Sequence, residues 1–577
     1  MCLFALSTSC GAREPPKPNV VLILADDQGW GDLSVHGNKN LSTPYIDSLA
    51  RDGAMFARFY VAPVCSPTRA ELLTGRYHPR GGVYSTGAGG ERLDLDEHTI
   101  AETFRAAGYA TGAFGKWHNG SQHPYHPNAR GFDEYYGVPS GHWAHYFDAV
   151  MHHNSDIVRG KGFIVDDVTD HAIEFMAQNK QQPFFCYVPY NTPHSPMQVP
   201  ERFYKKFANT QLRMRHRGPE KEDVPHTLAA LAMVENIDWN VGRILAALDE
   251  HDLSQNTIVI YLSDNGPNGW RWNGGMKGRK GALDEGGVRV PAFFRWPGVI
   301  PTGLEIEQIA AAIDILPTLA EMAQIPIAAE KPLDGLSLAP LLRGEAGDWP
   351  NREIYTFWRG RVSVRTQQYR LDAEGQLFDI AADPGQRTNI ANEHAGPAAH
   401  LRRLADEKAA EVLEDQGRAE DDRPFTAGYS RMTWLPAGEA KTSGGVERSN
   451  RFPNSSYLTN WTNEDGAITW DIEVGQAGTY TAEIYYACAE NDVGSLIELS
   501  FLGNHVETRI SEAHDPPLIG AEHDRVLRQE SYTKDFRPLS IGSIQLSKGR
   551  GPLKLQALKI PGQHALEVSA VTLTRVE

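Results

Sequence analysis

Apolar and polar positions alternate in two different ways along this chain, and the change of pattern divides it. In the first part, continuous apolar runs of strand length recur: NVVLILA at Asn19–Ala25, ATGAF at Ala110–Phe114, PFFCYVP at Pro183–Pro189 and TIVIYL at Thr257–Leu262. Uninterrupted runs of this length suit strands buried on both faces. Segments with helix grammar lie between them. Thr43 and Pro44 open one that Gly53 closes, and Thr99-Ile100-Ala101-Glu102 makes a capping box before a helix that stops at Gly108. Leu228, Leu231, Val234, Ile237, Val241, Ile244, Leu245 and Leu248 form one face of a long helix over Thr227–Asp249. This alternation predicts an α/β unit over residues 19–350, with a mostly parallel sheet sandwiched by helices.

The pattern then changes twice. REIYTFW, RVSVRT and QLFDI predict short antiparallel strands, followed by a helix near His400–Glu414, which together make a small α+β subdomain over 351–415. Residues 416–457 are polar and rich in Gly, Ser, Pro and charge, the composition of a linker. From 458 to 577 the period is two. Ile468, Trp470, Ile472 and Val474 alternate with polar residues, Gly475–Gly478 makes a turn, and Tyr480, Ala482, Ile484 and Tyr486 alternate on the return. Further strands over Ser495–Leu502, Gly542–Leu546, Leu553–Ile560 and Ala565–Arg575 complete the pattern of an all-β sandwich.

The buried-strand runs end in residues able to do chemistry. Asp26 and Asp27 follow the first, Lys116 and His118 the second, His194 the third, and Asp264 and Asn265 the fourth. Ligands in α/β folds bind beyond the carboxyl ends of the strands. Either acidic doublet alone also reads as a solvated turn, but four oxygen donors at the ends of two buried strands suit a hard cation, Ca²⁺ or Mg²⁺, better than zinc. A further stretch, PVCSPTRAELLTG, has Ser66 as an N-cap, Pro67 at the first helical position and Gly75 closing the helix. That places Cys65 just outside the positive end of a helix dipole, with Arg69 one turn further on.

Composition narrows the function. The 577 residues are 41% apolar, enough for a large core and more than one domain, and the formal net charge is -17. Nucleic acid is therefore not expected as a partner, and an anionic substrate has to be drawn by local positive charge. The five cysteines match neither a zinc pattern nor a disulfide framework, and Cys186 and Cys488 lie in apolar runs as small buried residues. No apolar run approaches the roughly 20 residues of a membrane span. Residues 1–18, which include MCLFALSTSC, read as a signal remnant and polar tether with Cys10 as a candidate lipid anchor. Export is the expectation, whether periplasmic, as an outer-membrane lipoprotein, or secreted.

CSPTR, followed by TGR, fits the C-x-P-x-R signature of the type I sulfatases, the formylglycine-dependent branch of the alkaline phosphatase superfamily. LADDQGWGD, GKWH, TPHSP, SDNG, KGALDEGGVRVP, DILPTLA and LFDIAADPGQRTNIA are similar to that family's blocks and stand in its order, from about Asn19 to Glu414. The resemblance, nearest to bacterial polysaccharide-type arylsulfatases, implies that Cys65 is oxidised to Cα-formylglycine by a formylglycine-generating enzyme. It implies that Asp26, Asp27, Asp264, Asn265 and the modified Cys65 hold one divalent cation, Ca²⁺ with Mg²⁺ as the alternative. Arg69, Lys116, His118, His194 and Lys280 would then surround the aldehyde hydrate and the sulfate. Lys280 is preferred to Lys277 because the family's lysine stands five positions before the Glu of EGG, here Glu285.

The physical logic agrees with the resemblance. A thiol is a poor catalyst for sulfate ester cleavage, whereas one hydroxyl of an aldehyde hydrate attacks sulfur and the other later expels sulfate. In the family His194 and Lys280 would protonate the leaving oxygen and His118 would deprotonate the second hydroxyl. Residues 117–153 are dense in histidine and aromatics, and His142 and His145, with Arg271 and Trp272 after SDNG, are candidate contacts to the substrate. Arg271 is the candidate for a second anionic group. The appended β-sandwich makes a polysaccharide-derived sulfated carbohydrate the expected substrate. A phosphonate monoester or phosphodiester hydrolase of the same superfamily, and a non-catalytic protein binding sulfated glycans, are the alternatives.

Overall fold

In the computed structural model, residues 17–327, 329–345, 347, 349–413, 422–453 and 455–576 are described. The signal remnant, Cys10 and part of the expected linker lie outside them. Every described apolar run of the first part becomes a strand of one ten-stranded sheet. Asn19–Ala25 is central. It pairs in parallel with Thr257–Ser263 on one side and Phe184–Pro189 on the other, and the latter pairs in parallel with Ala110–Lys116. Toward one margin Ala292–Arg295 pairs antiparallel with Thr257–Ser263, and the edge there is Leu304–Ile306, parallel to Ala54–Phe56; the antiparallel pair Val150–His153 and Asp156–Arg159 forms the other margin. Successive side chains of a strand point to opposite faces, so Val21 and Ile23 enter one core and Val20, Leu22 and Leu24 the other. All five are fully buried, which explains the absence of polar alternation in the sequence.

Helices cover both faces. Pro44–Arg51, Ile164–Gln178 and Val224–Glu250 pack on the first core, while Cys65–Thr74, Ile100–Ala106 and Ile315–Met322 pack on the second. The capping box at Thr99 is present in full, with Thr99 Oγ1 accepting from Glu102 N and Glu102 accepting from Thr99 N. The long helix starts earlier than its apolar face predicts, because Asp223 caps it by accepting from His226 N. Among the described residues, no helix is long and apolar enough to cross a membrane.

One buried acid in this region titrates in an accessible range. Asp238 Oδ1 accepts from both Tyr45 N and Ile46 N at the start of the Pro44–Arg51 helix, and burial raises its pKa to about 7. The folded pKa lies above the unfolded one, so this group's contribution is fully present below about pH 4 and is lost as pH rises through about 7. Asp238→Asn keeps an acceptor for both amides and removes the titration. Denaturant unfolding at pH 5 and pH 8 is expected to show the variant losing less stability than the parent over that interval.

The small subdomain is a four-stranded antiparallel sheet, Ile354–Trp358, Arg361–Arg365, Tyr369–Leu371 and Leu377–Asp379, covered by the helix Ala395–Leu413. Beyond it, two sheets enclose a third core containing Trp461, Trp470, Ile484 and Leu555. The segment read as a linker differs from expectation. Phe425–Ala427 pairs in parallel with Ala467–Val474, and Met432–Pro436 pairs antiparallel with Glu567–Arg575. Its strands are short, and only Thr433 and Leu435 of the second are buried, so the polar majority hides the period.

Candidate active site

The parallel register brings the strand ends together: Ala25 lies opposite Ser263, so Asp26 and Asp264 emerge side by side. Asp27 turns back with φ 68, a left-handed conformation costly for a residue with a side chain. Its neighbours hold it there. Asp27 N donates to Asp264 Oδ1 at 3.1 Å, and Asp27 O accepts from Arg271 Nη2 at 3.0 Å. Asn265 Nδ2 donates to Asp27 Oδ1 at 2.8 Å.

Three cations reach the same place from different elements. Lys116, the last residue of its strand, donates to Asp26 Oδ2 at 2.6 Å. Arg69 donates to Asp264 Oδ2 through Nη2 at 2.8 Å and to Lys116 O at 2.7 Å. Lys280 Nζ lies 2.7 Å from Asp27 Oδ1, whereas Lys277 pairs with Asp284 instead. Asp26, Cys65 and Asp264 offer ligand atoms within 4.8 Å of one another. The helix carrying Cys65 runs Cys65–Thr74 with Val64 at the N-cap position, so Cys65 is its first residue. Ser66 is therefore not the N-cap; its hydroxyl bonds Glu91 O. The free backbone amides of that first turn remain beside Cys65, which is a free cysteine and 3% exposed.

The donors fit a hard cation. Asp26 Oδ1 and Asn265 Oδ1 are buried with no hydrogen-bond partner among the described residues. Burial raises Asp26 to about 6 despite Lys116, and burial with the neighbouring Asp26 raises Asp264 to about 6. Carboxylates crowded this way call for positive charge beyond the side chains present. Asp27 differs: burial pushes it up, but Lys280 and His194 outweigh that and hold it low.

The candidate histidines are neutral at pH 7. Burial, reinforced by Lys116, lowers His118 to about 3, and burial with Lys280 lowers His194 to about 4. His118 Nε2 bonds Thr86 O at 3.0 Å and its Nδ1 has no hydrogen-bond partner among the described residues. Gly141 lies against this ring, and a Cβ there would sit 1.9 Å from Nε2. His194 Nδ1 is bound to Ser195 O, and its Nε2 is 3.8 Å from Asp27.

A cavity of about 730 Å³ opens above His194 and Lys280. Of the four expected substrate contacts, His142 lines it, 5.5 Å from His194 between ring centroids. The other three lie elsewhere. His145 lines a smaller cavity at the seam with the C-terminal unit, beside Trp434 and Tyr485. Trp272 packs over Gly31, and Trp270 lines the cavity in its place. Arg271 is buried and paired with Asp32, to which its Nη2 donates at 2.7 Å, so it braces Asp27 from behind and is not a contact for a second anion. Arg271→Ala leaves Asp32 buried and uncompensated, a cost of about 3–5 kcal/mol. Thermal unfolding is expected to shift down, and kcat to fall on all sulfate esters alike, with no selective rise in KM for large ones.

Sequence reasoning missed the far wall. Phe452 and residues 526–530 of the C-terminal unit line the same cavity, and Ser195 donates to Glu530 beside His194. No sequence signal links positions more than 300 residues apart, and neither segment carries a motif.

This architecture, an α/β sheet with an acidic cluster, three cations paired to it and a cysteine at its carboxyl edge, fits a hydrolase of anionic esters. The family model described as Sulfatase matches residues 18–325, and that described as N-sulphoglucosamine sulphohydrolase, C-terminal, matches 279–409. N-acetylgalactosamine-6-sulfatase of Mus musculus is 33% identical over 399 residues, covering 62% of this chain and 72% of that protein. Arylsulfatase A of Homo sapiens is 31% identical over 480 residues, covering 68% and 87%. The crystal structure of Ps i-CgsB in complex with k-i-k-neocarrahexaose is similar at 28% identity and TM-score 0.61, covering 68% of this chain and 93% of that one. The chain belongs to the sulfatase family and is a sulfuric ester hydrolase.

Proposed function

We propose that this enzyme removes sulfate from a sulfated carbohydrate, using residue 65 after oxidation of its cysteine to Cα-formylglycine, with Ca²⁺, or Mg²⁺ as the alternative, held by Asp26, Asp27, Asp264 and Asn265. The carrying observation is the convergence of three carboxylates, two of their cluster's oxygens unpartnered among the described residues, with buried Arg69 and Lys116 and partly exposed Lys280, on residue 65. One relative named as an N-acetylgalactosamine-6-sulfatase and a similar structure in complex with a neocarrahexaose support the carbohydrate class.

The bound cation and oxidised residue would supply Lewis acidity and an oxygen nucleophile in place of sulfur. The side chains do the rest. Arg69 and Lys116 fix positive charge under the sulfuryl oxygens without reorganising. Lys280, which burial disfavours but Asp27 keeps protonated, holds a proton on Nζ for the leaving oxygen. His194 Nε2 faces the same side. His118, neutral with Nδ1 free, accepts a proton at that atom. We also place the protein outside the cytoplasm, which fractionation of the native host would test.

The test is release of inorganic sulfate by protein co-expressed with a formylglycine-generating enzyme. Sulfated oligosaccharides are expected to be turned over faster than matched phosphonate monoesters and phosphodiesters. Preference for the phosphorus esters would overturn the reading, as would an unmodified thiol in active enzyme.

A further inference from the structure

The 730 Å³ cavity is larger than one sulfate group needs and falls within the about 300–1,000 Å³ of small-ligand sites. Its two side walls come from different units. One carries Lys221 and Arg279, both against the ring of Trp270, at 5.4 and 5.0 Å from its centroid. Neither charged head makes an ion pair or hydrogen bond among the described residues. The cations around them are committed: Lys280 to Asp27, Arg271 to Asp32 and Arg528 to Asp524. The acids of the lining are committed too, Asp223 to His226 N and Glu530 to Ser195. Two cations that line the cavity and meet the Trp270 ring but no acid among the described residues are positive charge without an anionic partner, in a chain of net charge -17.

The opposite wall is built by Phe452, Leu527 and Gln529. Leu527 is 85% exposed, yet its segment is tied down. Arg525 N donates to Met197 O at 2.9 Å, Arg525 Nη2 to Val199 O at 2.8 Å, and Gln198 Nε2 to Gly520 O at 2.7 Å. Phe452 is 39% exposed as well, so two exposed apolar side chains line this one cavity and are not singly scattered.

We propose that the two walls form one composite subsite for the sugar next to the sulfated one, and that this sugar carries a second anionic group, sulfate or carboxylate. Lys221 and Arg279 hold the anion, Phe452 and Leu527 cover the apolar face of the ring, and Gln529, whose Oε1 accepts from Arg451, bonds its hydroxyls through Nε2. The C-terminal unit is then part of the substrate site and not a detachable glycan-binding module. The assignment rests on the cavity floor being the sulfate centre.

Calorimetric binding and sulfate release separate the two ideas. The probes are a chondroitin 6-sulfate tetrasaccharide with N-acetylgalactosamine 6-sulfate as its single-sugar partner, and an ι-carrageenan tetrasaccharide with galactose 4-sulfate. At least one tetrasaccharide is expected to bind the parent more tightly than its single sugar. Lys221→Ala/Arg279→Ala and Leu527→Ala/Gln529→Ala should each weaken that tetrasaccharide about tenfold, well beyond any loss on the single sugar. The loss in the first pair should shrink at high salt, because exposed charges are screened. No affinity gain from either tetrasaccharide, equal losses on both members of a pair, or unchanged tetrasaccharide binding in folded variants would overturn the subsite. Retained tetrasaccharide preference without sulfate release would leave it standing and count against the catalytic reading alone.

Discussion

Cys65→Ala is expected to lower sulfate release by about 10³-fold or more, since the proposed nucleophile derives from this side chain. The fold should survive. Cys65 is a small residue at a helix start, where alanine fits, and Arg69, Lys116 and Lys280 keep their carboxylate partners. Sulfated ligand should therefore still bind, giving a protein that holds substrate without turning it over. The check is steady-state turnover beside calorimetric binding, with mass spectrometry of the peptide spanning residue 65 in the parent. A residual rate within about tenfold of the parent would remove residue 65 from the chemistry.

Asp264→Ala should be more damaging, because this carboxylate serves four neighbours. It pairs with buried Arg69, accepts from Asp27 N, and lies within ligand distance of Asp26 and Cys65. Removing it strands a fully buried guanidinium, at a cost of about 3–5 kcal/mol, and releases the strained backbone of Asp27. The variant is expected to lose sulfatase activity and melt earlier. If the proposed Ca²⁺ site is right, added Ca²⁺ should stabilise the parent by about 2.7 kcal/mol at a hundredfold excess over Kd, and the variant should lose that gain. Thermal melts with calcium and with a chelator test this. A variant that still gains stability from calcium would show that the ion sits elsewhere.

How much of this was legible in the sequence depends on range. The four buried strands announced themselves because both their faces are covered, and Asp26, Asp27, Asp264 and Asn265 were placed by the rule that binding happens beyond strand ends. The choice of Lys280 over Lys277 agrees with the geometry. Arg271 was misread because an arginine beside a ligand motif looks the same whether it faces substrate or braces the loop behind it. The difference is Asp32, which no local pattern connects to it. The stretch dense in histidine was over-read for the same reason: His123, His126 and His152 stack on one another in the interior and leave only His142 on the cavity. The wall at 526–530 depends on how a distant unit docks, which periodicity cannot express.

The concealment of Cys65 also sets an order of events. If residue 65 is oxidised as proposed, the oxidising enzyme would have to grip it while the stretch around it is still extended, before Asp264, which follows the strand ending at Ser263 and comes within 4.8 Å of Cys65, emerges from the ribosome about 200 residues later. The interval between those two moments is the window for maturation. A cell that translates or folds this chain too quickly would accumulate well-folded enzyme that can never be switched on.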